Sequence, residues 1–244
     1  MFVPVASNLC RIVESDDESD SGEETTVIYQ SSSTFASQVF TPTNIRDNSP
    51  SQLHKIAKAP IRRSQSAFIV PLTVVLDLDN TLICSSKEPS SSFDFNIAVP
   101  DGNGDIETVY VTKRPRLDGF LTKLCQISTP YLFSSGDKVY VDQVMSFIDP
   151  LGQIFSKVFY RESCKLATPG VYIKDLSVVG TYLPRTCLVD DQPESFGEQT
   201  ENGVKITQFN GDPHDRELDT LLTILEKLRT FDDVRPILRR VNHK

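Results

Sequence analysis

The sequence has no apolar run long enough to cross a membrane. A membrane-spanning helix needs about 18 or more consecutive apolar residues, and the 244-residue chain reaches that length nowhere. The first 13 residues are mildly apolar, but they lack the cationic start and the long apolar segment of a secretory signal. We therefore expect a soluble intracellular protein without a membrane span.

Cysteine and histidine are scarce and are not grouped. The five cysteines form no CxxC pair and are odd in number, which argues against a disulfide framework and against a zinc site. No cysteine is followed by arginine six residues later, so the phosphate-binding cysteine loop of tyrosine phosphatases is missing. The three histidines lie in the N-terminal region, at the start of a predicted helix and near the C-terminus. Those positions do not suit a catalytic triad or a dinuclear metal phosphatase.

Negative charge is concentrated near the N-terminus. Residues 1–30 contain seven acidic residues and one basic residue, against a net charge of −8 for the whole chain. Segments rich in serine and acidic residues bury too little apolar surface to offset chain entropy. We therefore predict that residues 1–66 are a disordered acidic and serine-rich region with a linker, and that residues 67–244 form the folded domain.

Strand-like and helix-like segments alternate from Ala67 onward, which is typical of an α/β domain with a largely parallel sheet. Apolar alternation around the turn at Asp101–Asp105 predicts a β-hairpin between Phe93 and Thr112. Asp212 and Pro213 are expected to cap a long helix with a leucine stripe. The predicted parallel strands are Thr73–Leu78, Tyr131–Ser134, Val158–Tyr160, Thr186–Val189 and Val204–Phe209, with further helices near Leu117–Leu124 and Val139–Ile148.

The first predicted strand ends in two carboxylates, Asp77 and Asp79. Residues two apart on a strand point to the same side, so both carboxylates are expected to face one small volume at the carboxyl edge of the sheet. Two close carboxylates repel unless a cation lies between them, and Mg²⁺ prefers such oxygen ligands. Asp77 could then attack phosphorus and Asp79 could act as general acid and base. The alternative is that both residues only end a strand and begin a turn.

Three later segments could complete a phosphoryl-transfer site. Ser134 follows a predicted strand and could hydrogen-bond a phosphate oxygen, although Ser-Ser-Gly-Asp is also an ordinary turn. Lys174 could neutralise a transferring phosphate, or it could be a solvated surface lysine. Asp190 and Asp191 end another apolar strand and could hold a cation, or they could be a solvated pair on a turn.

Together these segments resemble the haloacid dehalogenase superfamily, and within it the small C-terminal-domain phosphatases and their Dullard-like relatives. The resemblance covers roughly Ala67 to Arg240, and five ordered motifs make it far more specific than any one of them. Those motifs are Asp77–Leu82, Lys113–Phe120, Tyr160–Cys164, Tyr172–Ser177 and Val189–Pro193, followed by a similar end segment at Phe231–Leu238.

The resemblance implies a haloacid-dehalogenase-like parallel sheet flanked by helices, with the β-hairpin inserted after the first motif. It also implies a Mg²⁺-dependent protein serine/threonine phosphatase that works through an aspartyl-phosphate. The substrate would be a phosphoprotein, such as the C-terminal domain of RNA polymerase II. In this resemblance Asp77 would be the nucleophile and Asp79 the general acid and base. Ser134 and Lys174 would bind phosphate, Arg161 would contact the phosphate of the substrate, and Thr81 would support the first loop and contact the substrate. The residues that would bind the metal are Asp77, Asp79, Asp190 and Asp191.

Some residues depart from the pattern of the family. Ser134 stands where many relatives have threonine, and Asp191 stands where close relatives have asparagine, which adds negative charge at the metal site.

Two other functions stay open, a scaffold that keeps the fold without turnover and a small-molecule phosphatase of the same superfamily. We expect a nuclear or cytoplasmic location and no direct binding to nucleic acid.

Overall fold

The computed structural model describes residues 70–89, 92–101 and 103–242. The predicted disordered region, residues 1–66, and the predicted domain start at Ala67 lie outside the described residues. The strands are β1 (Leu72–Leu76), β2 (Ile83–Ser86), β3 (Phe95–Pro100), β4 (Ile106–Lys113), β5 (Ser128–Phe133), β6 (Val158–Phe159), β7 (Lys165–Thr168), β8 (Val171–Ile173), β9 (Thr186–Asp190) and β10 (Gly203–Lys205). The α-helices are α1 (Leu117–Ile127), α2 (Lys138–Ile148), α3 (Glu217–Leu228) and α4 (Arg235–Asn242).

A five-stranded parallel sheet forms the centre of the described fold, in the order β10-β9-β1-β5-β6. All five residues of β1 are buried, because the strand has a neighbour on each side and apolar layers on both faces. Val74 and Leu76 pack into one apolar cluster with residues of all four helices, and Val75 packs into a second cluster on the other face. This arrangement confirms the predicted α/β class, since strands buried on both faces are characteristic of parallel sheets.

A three-stranded antiparallel sheet in the order β2-β4-β3 contains the predicted hairpin, with β3 and β4 as its two strands. The edge strand β3 is fastened to α2, because the Gln143 side chain accepts from the Ala98 N–H at 3.2 Å and donates to the Ala98 carbonyl at 2.6 Å. The sequence predictions did not include β2, the β7–β8 hairpin or α4.

The two largest errors in the predicted element boundaries concern the last strand and the helix that follows it. The helix expected from Asp212 begins at Glu217, because Asp212 closes a turn instead, accepting from the His214 N–H at 2.8 Å. The last strand ends at Lys205 rather than at Phe209. Beyond Lys205 the chain hydrogen-bonds to the loop after β1 instead, since the Phe209 N–H donates to the Asn80 carbonyl at 2.7 Å. No helix among residues 70–89, 92–101 and 103–242 is both long and apolar enough to span a bilayer.

Candidate active site

A tight loop follows β1 and carries the two predicted catalytic aspartates. The strand ends at Leu76, so Asp77 and Asp79 lie in the loop rather than on the strand as predicted. The Asp77 N–H still donates to the Val189 carbonyl of β9 at 3.0 Å, and the Leu82 N–H closes the loop onto the Leu78 carbonyl at 2.8 Å. Hydrogen bonds at both ends therefore fix the loop at the carboxyl edge of the sheet.

The Asp77 carboxylate lies in a buried ion-pair cluster. The Lys174 ammonium binds Asp77 Oδ1 and lies 2.7 Å from Asp190 Oδ2. The exposed fractions of Lys174, Asp77 and Asp190 are 2%, 4% and 1%. Lys174 follows β8 and Asp190 ends β9, so the cluster joins three segments that are distant in sequence. The alternative of a solvated surface lysine is wrong for Lys174.

Burial shapes the titration of this cluster. Desolvation raises the pKa of Asp77 to about 7, with Asp190 adding to the rise and Lys174 opposing it. For Lys174, burial by itself lowers the pKa, but Asp77 and Asp190 together raise it above its ordinary value. Lys174 is therefore a permanent cation held against two carboxylates.

Three carboxylates are placed to share a cation. Oxygen atoms of Asp77, Asp190 and Asp191 lie within 4.8 Å of one another. Burial, followed by the charge of Asp190, raises the pKa of the half-buried Asp191. Carboxylate oxygens are ligands that Mg²⁺ prefers, and a divalent cation would offset the excess negative charge of this group. The donor set therefore fits the predicted metal. The alternative of a solvated pair is wrong for Asp190, because its side chain is buried.

The Asp79 carboxylate does not belong to this group of three, although it lines the same cavity. Its Oδ1 accepts a hydrogen bond from the Tyr140 hydroxyl and a longer one, 3.4 Å, from Ser85 Oγ. Burial raises the pKa of Asp79, while the hydrogen bond from Tyr140 opposes this rise. The sequence predictions missed Tyr140, which lies in the first turn of α2 and looks from its spacing like any other residue of an amphipathic helix.

Ser134, Ser135 and Arg161 lie at the end of β5 and after β6. Ser134 is fully buried, and its Oγ accepts from the Gly136 N–H at 2.9 Å. Ser135 and Arg161 line a cavity that Asp77 and Lys174 also line, and Arg161 Nε donates to the Ser135 carbonyl at 2.7 Å. The guanidinium of Arg161 also lies 5.6 Å from the centre of the Tyr172 ring, which holds it over the cavity.

Thr81 lies beneath the first loop. Its side chain is fully buried, and its hydroxyl has no hydrogen-bond partner within the described part of the chain. The Thr81 carbonyl accepts from Arg114 at 3.0 Å. Arg114 is itself fully buried and also donates to the Thr207 carbonyl at 2.8 Å. The Thr81 carbonyl thus joins the loop to Arg114, whereas support of the loop by the Thr81 side chain and its contact with substrate stay predictions.

A small cavity lies at this site beside a larger groove, and neither Ser134 nor Thr81 lines the cavity. The cavity has a volume of about 140 Å³ and is lined by side chains that include Asp77, Asp79, Lys174 and Asp191. The hairpin groove, about 450 Å³, lies beside it and is lined by residues of β2, β3, β4 and α2. Asp79, Ser135 and Arg161 line both spaces, so they mark the boundary between them.

Comparison with known proteins identifies relatives of this chain. Residues 72–235 match the family described as NLI interacting factor-like phosphatase. The chain is 37% identical to "CTD small phosphatase-like protein 2" of Dictyostelium discoideum, with 69% of this chain and 29% of that protein covered. It is 39% identical to the human "CTD small phosphatase-like protein", with 69% and 60% covered. It is 37% identical to the human "Carboxy-terminal domain RNA polymerase II polypeptide A small phosphatase 1", with 69% of this chain and 64% of that protein covered.

The matched region therefore spans less than two thirds of the length of each of these relatives. A solved structure described as "The Structure of Fcp1, an essential RNA polymerase II CTD phosphatase" superposes with a TM-score of 0.50 at 18% identity, covering 70% of this chain and 52% of that one. At that identity the likeness concerns the fold alone, and it agrees with the predicted haloacid-dehalogenase-like sheet. The family match covers well over half of the sequence, and the chain belongs to the NLI interacting factor-like phosphatase family.

Proposed function

We propose that the protein is a Mg²⁺-dependent protein serine/threonine phosphatase that works through an aspartyl-phosphate. The observation that carries the proposal is the position of Asp77. Its carboxylate is buried, one oxygen is bound by Lys174, and its oxygens lie within 4.8 Å of those of Asp190 and Asp191. The Lys174 ammonium, together with a Mg²⁺ ion held by the three carboxylates, would reduce the repulsion between the Asp77 carboxylate and a phosphate dianion, which suits Asp77 for attack on phosphorus.

In the first step, Asp77 attacks phosphorus and the bond from phosphorus to the serine or threonine oxygen breaks. Lys174 binds Oδ1 of Asp77, so we assign the attack to Oδ2. Asp79 donates its proton to the leaving oxygen, and the raised pKa that burial gives Asp79 favours the protonated form that this step needs. In the second step, Asp79 takes a proton from water, which attacks phosphorus and releases inorganic phosphate and Asp77.

The remaining site residues hold the phosphate group and the metal. We assign Asp77, Asp190 and Asp191 to Mg²⁺ through their side chains and Asp79 through its backbone carbonyl. When bound, Mg²⁺ would neutralise charge on the transferring phosphate. Lys174 supplies a second positive charge, Arg161 suits two-point binding of a phosphate oxygen pair, and Ser134 offers a hydroxyl. Thr81 supports the loop that carries the two catalytic aspartates.

The substrate class follows from the hairpin groove. At about 450 Å³ it is much larger than a phosphate group needs, and it adjoins the catalytic cavity, since Asp79, Ser135 and Arg161 line both spaces. We propose a phosphoserine or phosphothreonine segment of a protein as its occupant. The names of several relatives point to the C-terminal domain of RNA polymerase II, which makes that repeat a first peptide to test and a nuclear location the first to examine.

The test compares the wild-type chain with Asp77→Asn on a phosphoserine peptide in Mg²⁺. We expect Asp77→Asn to lower kcat by at least about 10³-fold, because an amide oxygen does not replace a carboxylate nucleophile. Wild-type protein quenched in acid should carry labelled phosphate on Asp77. The control is Asp105→Asn, a carboxylate in the exposed hairpin turn. Full turnover in Asp77→Asn, or peptide binding by the wild type without any turnover, would defeat the proposal and leave a scaffold.

A further inference from the structure

One face of helix α2 contacts both the catalytic loop and the hairpin. Tyr140, Gln143 and Phe147 follow one another at intervals of three and four residues, so their side chains lie on the same side of the helix. The Tyr140 hydroxyl donates to Asp79 Oδ1, and the Phe147 ring stacks on that of Phe95 in β3 with the ring centres 4.3 Å apart. Gln143 lies between the two and binds the backbone of β3.

The Gln143 side chain takes the place of a neighbouring strand residue. β3 lies at the edge of the three-stranded sheet, beside β4. In an antiparallel ladder, the two residues of a hydrogen-bonded pair exchange one N–H···O bond in each direction. The Gln143 amide makes the same exchange with Ala98, accepting from its N–H at 3.2 Å and donating to its carbonyl at 2.6 Å. A side-chain amide offers both a donor and an acceptor, so this one residue provides a two-point link.

Ala98 lies where the buried part of β3 ends and the wall of the hairpin groove begins. On β3, the side chains of Phe95 and Ile97 are buried in the main apolar cluster. Ala98 is exposed, and the next two residues, Val99 and Pro100, line the hairpin groove. The two hydrogen bonds from Gln143 therefore fix the strand at the point from which its side chains face the groove.

The opposite wall of the hairpin groove contains the proposed general acid. Asp79 and Tyr140 line the groove on that side. Proton transfer requires the leaving oxygen within hydrogen-bond reach of the acid, and a misplacement of about 1 Å can slow a reaction about 100-fold. The distance between the hairpin wall and Asp79 therefore matters for a substrate that is held against the hairpin. Gln143 is a polar link between the two walls, three residues from Tyr140 in the same helix.

We propose that Gln143 is a positioning residue for the phosphatase reaction. By tying β3 to α2, it sets the hairpin wall at a fixed distance from Asp79, so that a peptide held against the hairpin has its leaving oxygen within reach of the acid. The inference rests on the proposed phosphatase function. Gln143 lines neither the catalytic cavity nor the hairpin groove, so it acts through the placement of both walls rather than by touching the substrate.

The first measurement compares Gln143→Met with the wild-type chain in Mg²⁺, on a phosphoserine peptide and on p-nitrophenyl phosphate. Methionine matches glutamine in length and helix propensity but has no N–H to donate. We expect kcat/KM on the peptide to fall about 10-fold, because its alignment with Asp79 is lost. Turnover of p-nitrophenyl phosphate, which has no chain to lie against the hairpin, should change less than about 2-fold.

Gln126→Met is the matched control, since it makes the same substitution at an exposed position of α1. It should alter neither rate. Falls of equal size on both substrates in Gln143→Met would mean that the residue only supports the fold of the site, and they would overturn the proposal. An unchanged peptide value in Gln143→Met would overturn it as well.

A double variant tests whether Gln143 and Tyr140 serve one alignment. Tyr140→Phe frees the acid and Gln143→Met frees the hairpin wall, and two changes that disturb the same alignment are not additive. We expect the combined fall in peptide kcat/KM to be at most about a third of the product of the two single falls. A combined fall equal to that product would show that the two residues act independently and would contradict the proposal.

Hydrogen exchange tests the link without any turnover. Because Ala98 is exposed, its N–H depends on the bond to Gln143 for protection. In Gln143→Met, NMR should show exchange at Ala98 about 10-fold faster or more, with the Leu132 N–H of β5 unchanged. Equal exchange at Ala98 in both proteins would overturn the proposal. Faster exchange at Ala98, combined with a wild type that hydrolyses neither substrate, would instead count against the phosphatase function itself.

Discussion

Arg114 and Asp215 form a two-point ion pair across 101 positions of sequence. Arg114 Nε and Nη2 donate to the two carboxylate oxygens of Asp215 at 2.9 and 2.7 Å. The same guanidinium donates to the carbonyls of Thr81 and Thr207, and it lies 5.3 Å from the centre of the Phe209 ring. One buried side chain therefore joins the catalytic loop, the segment after β10 and the turn before α3.

Removal of this guanidinium should be strongly destabilising. Arg114→Met leaves the Asp215 carboxylate and two carbonyls without their donor, so we expect a loss of about 3–5 kcal/mol in the free energy of unfolding. Arg116→Met is the matched control, since Arg116 pairs with Asp219 while both side chains are about half exposed. An exposed pair contributes roughly 0–1 kcal/mol. Urea unfolding of both variants measures the free energy of unfolding. Equal decreases in the two variants would show that the buried Arg114 pair stabilises the fold no more than the exposed Arg116 pair does.

Magnesium should stabilise the folded protein. If Asp77, Asp190 and Asp191 bind the ion only in the folded state, Mg²⁺ at 100 times its dissociation constant adds about 2.7 kcal/mol to the free energy of unfolding. In a domain of this size that corresponds to a rise in Tm of roughly 5–10 °C. Thermal unfolding is measured with MgCl₂ and with NaCl at equal ionic strength. Asp191→Ala should shrink the rise, whereas Glu194→Ala, three residues along the same loop, should keep it.

The pH dependence of stability without metal follows from Asp77. Its pKa is raised from 3.8 to about 7 in the folded state, mainly by burial. The folded protein therefore holds this proton more tightly than the unfolded chain does. The stability that Asp77 contributes is fully present below pH 3.8 and is lost as the pH rises towards 7. In EDTA, Asp77→Asn should become more stable relative to the wild type between pH 5 and pH 8.

The control for this experiment is Asp175→Asn. The hydrogen bond from Lys165 is the main cause that lowers the pKa of Asp175. Its contribution is thus present above the unfolded pKa and is lost only as the pH falls well below 5. The stability difference between Asp175→Asn and the wild type should be the same at pH 5 and pH 8. A stability difference for Asp77→Asn that is also constant between these pH values would contradict the assignment of Asp77 as the group that burial perturbs.

Much of the site could be predicted because its residues follow apolar strands. Parallel strands meet at one carboxyl edge, so Asp77 after β1 and Asp190 at the end of β9 had to lie near each other once the sheet was recognised. The reason given for pairing Asp77 with Asp79 was wrong in detail, since β1 ends before both. The loop after β1 places their side chains on different partners, Lys174 for one and Tyr140 for the other.

The parts that were missed depend on contacts between distant segments. The last strand stops at Lys205 because Arg114 and Asn80 bind the chain beyond it, and no local pattern in that segment indicates this. The helix after it begins late because Asp212 closes a turn and Asp215 is engaged by Arg114. Local patterns report propensity and periodicity, whereas these boundaries are set by a buried charge whose partner is far away in sequence.

Tyr140 is the site residue with the most specific consequence for the chemistry. Its hydroxyl donates to Asp79 Oδ1, which fixes the orientation of the proposed general acid. Tyr140→Phe removes the donor without removing the ring. We expect kcat/KM on a phosphoserine peptide, which reports on the steps up to release of the serine oxygen, to fall about 10-fold, a part of the usual contribution of general acid catalysis. Serine is a poor leaving group that needs the proton, whereas p-nitrophenolate leaves without it. The fall on p-nitrophenyl phosphate should therefore be less than about 2-fold.

Tyr160→Phe is the matched control for Tyr140→Phe. The Tyr160 hydroxyl also donates to a carboxylate, Asp142 Oδ1 at 2.8 Å, but that pair lies at the surface beside α2. Its loss should change neither rate, because Asp142 does not line the catalytic cavity. A fall of equal size on both substrates in Tyr140→Phe would mean that the hydroxyl supports the cavity as a whole. The leaving-group dependence is thus the measurement that separates orientation of Asp79 from general support of the site.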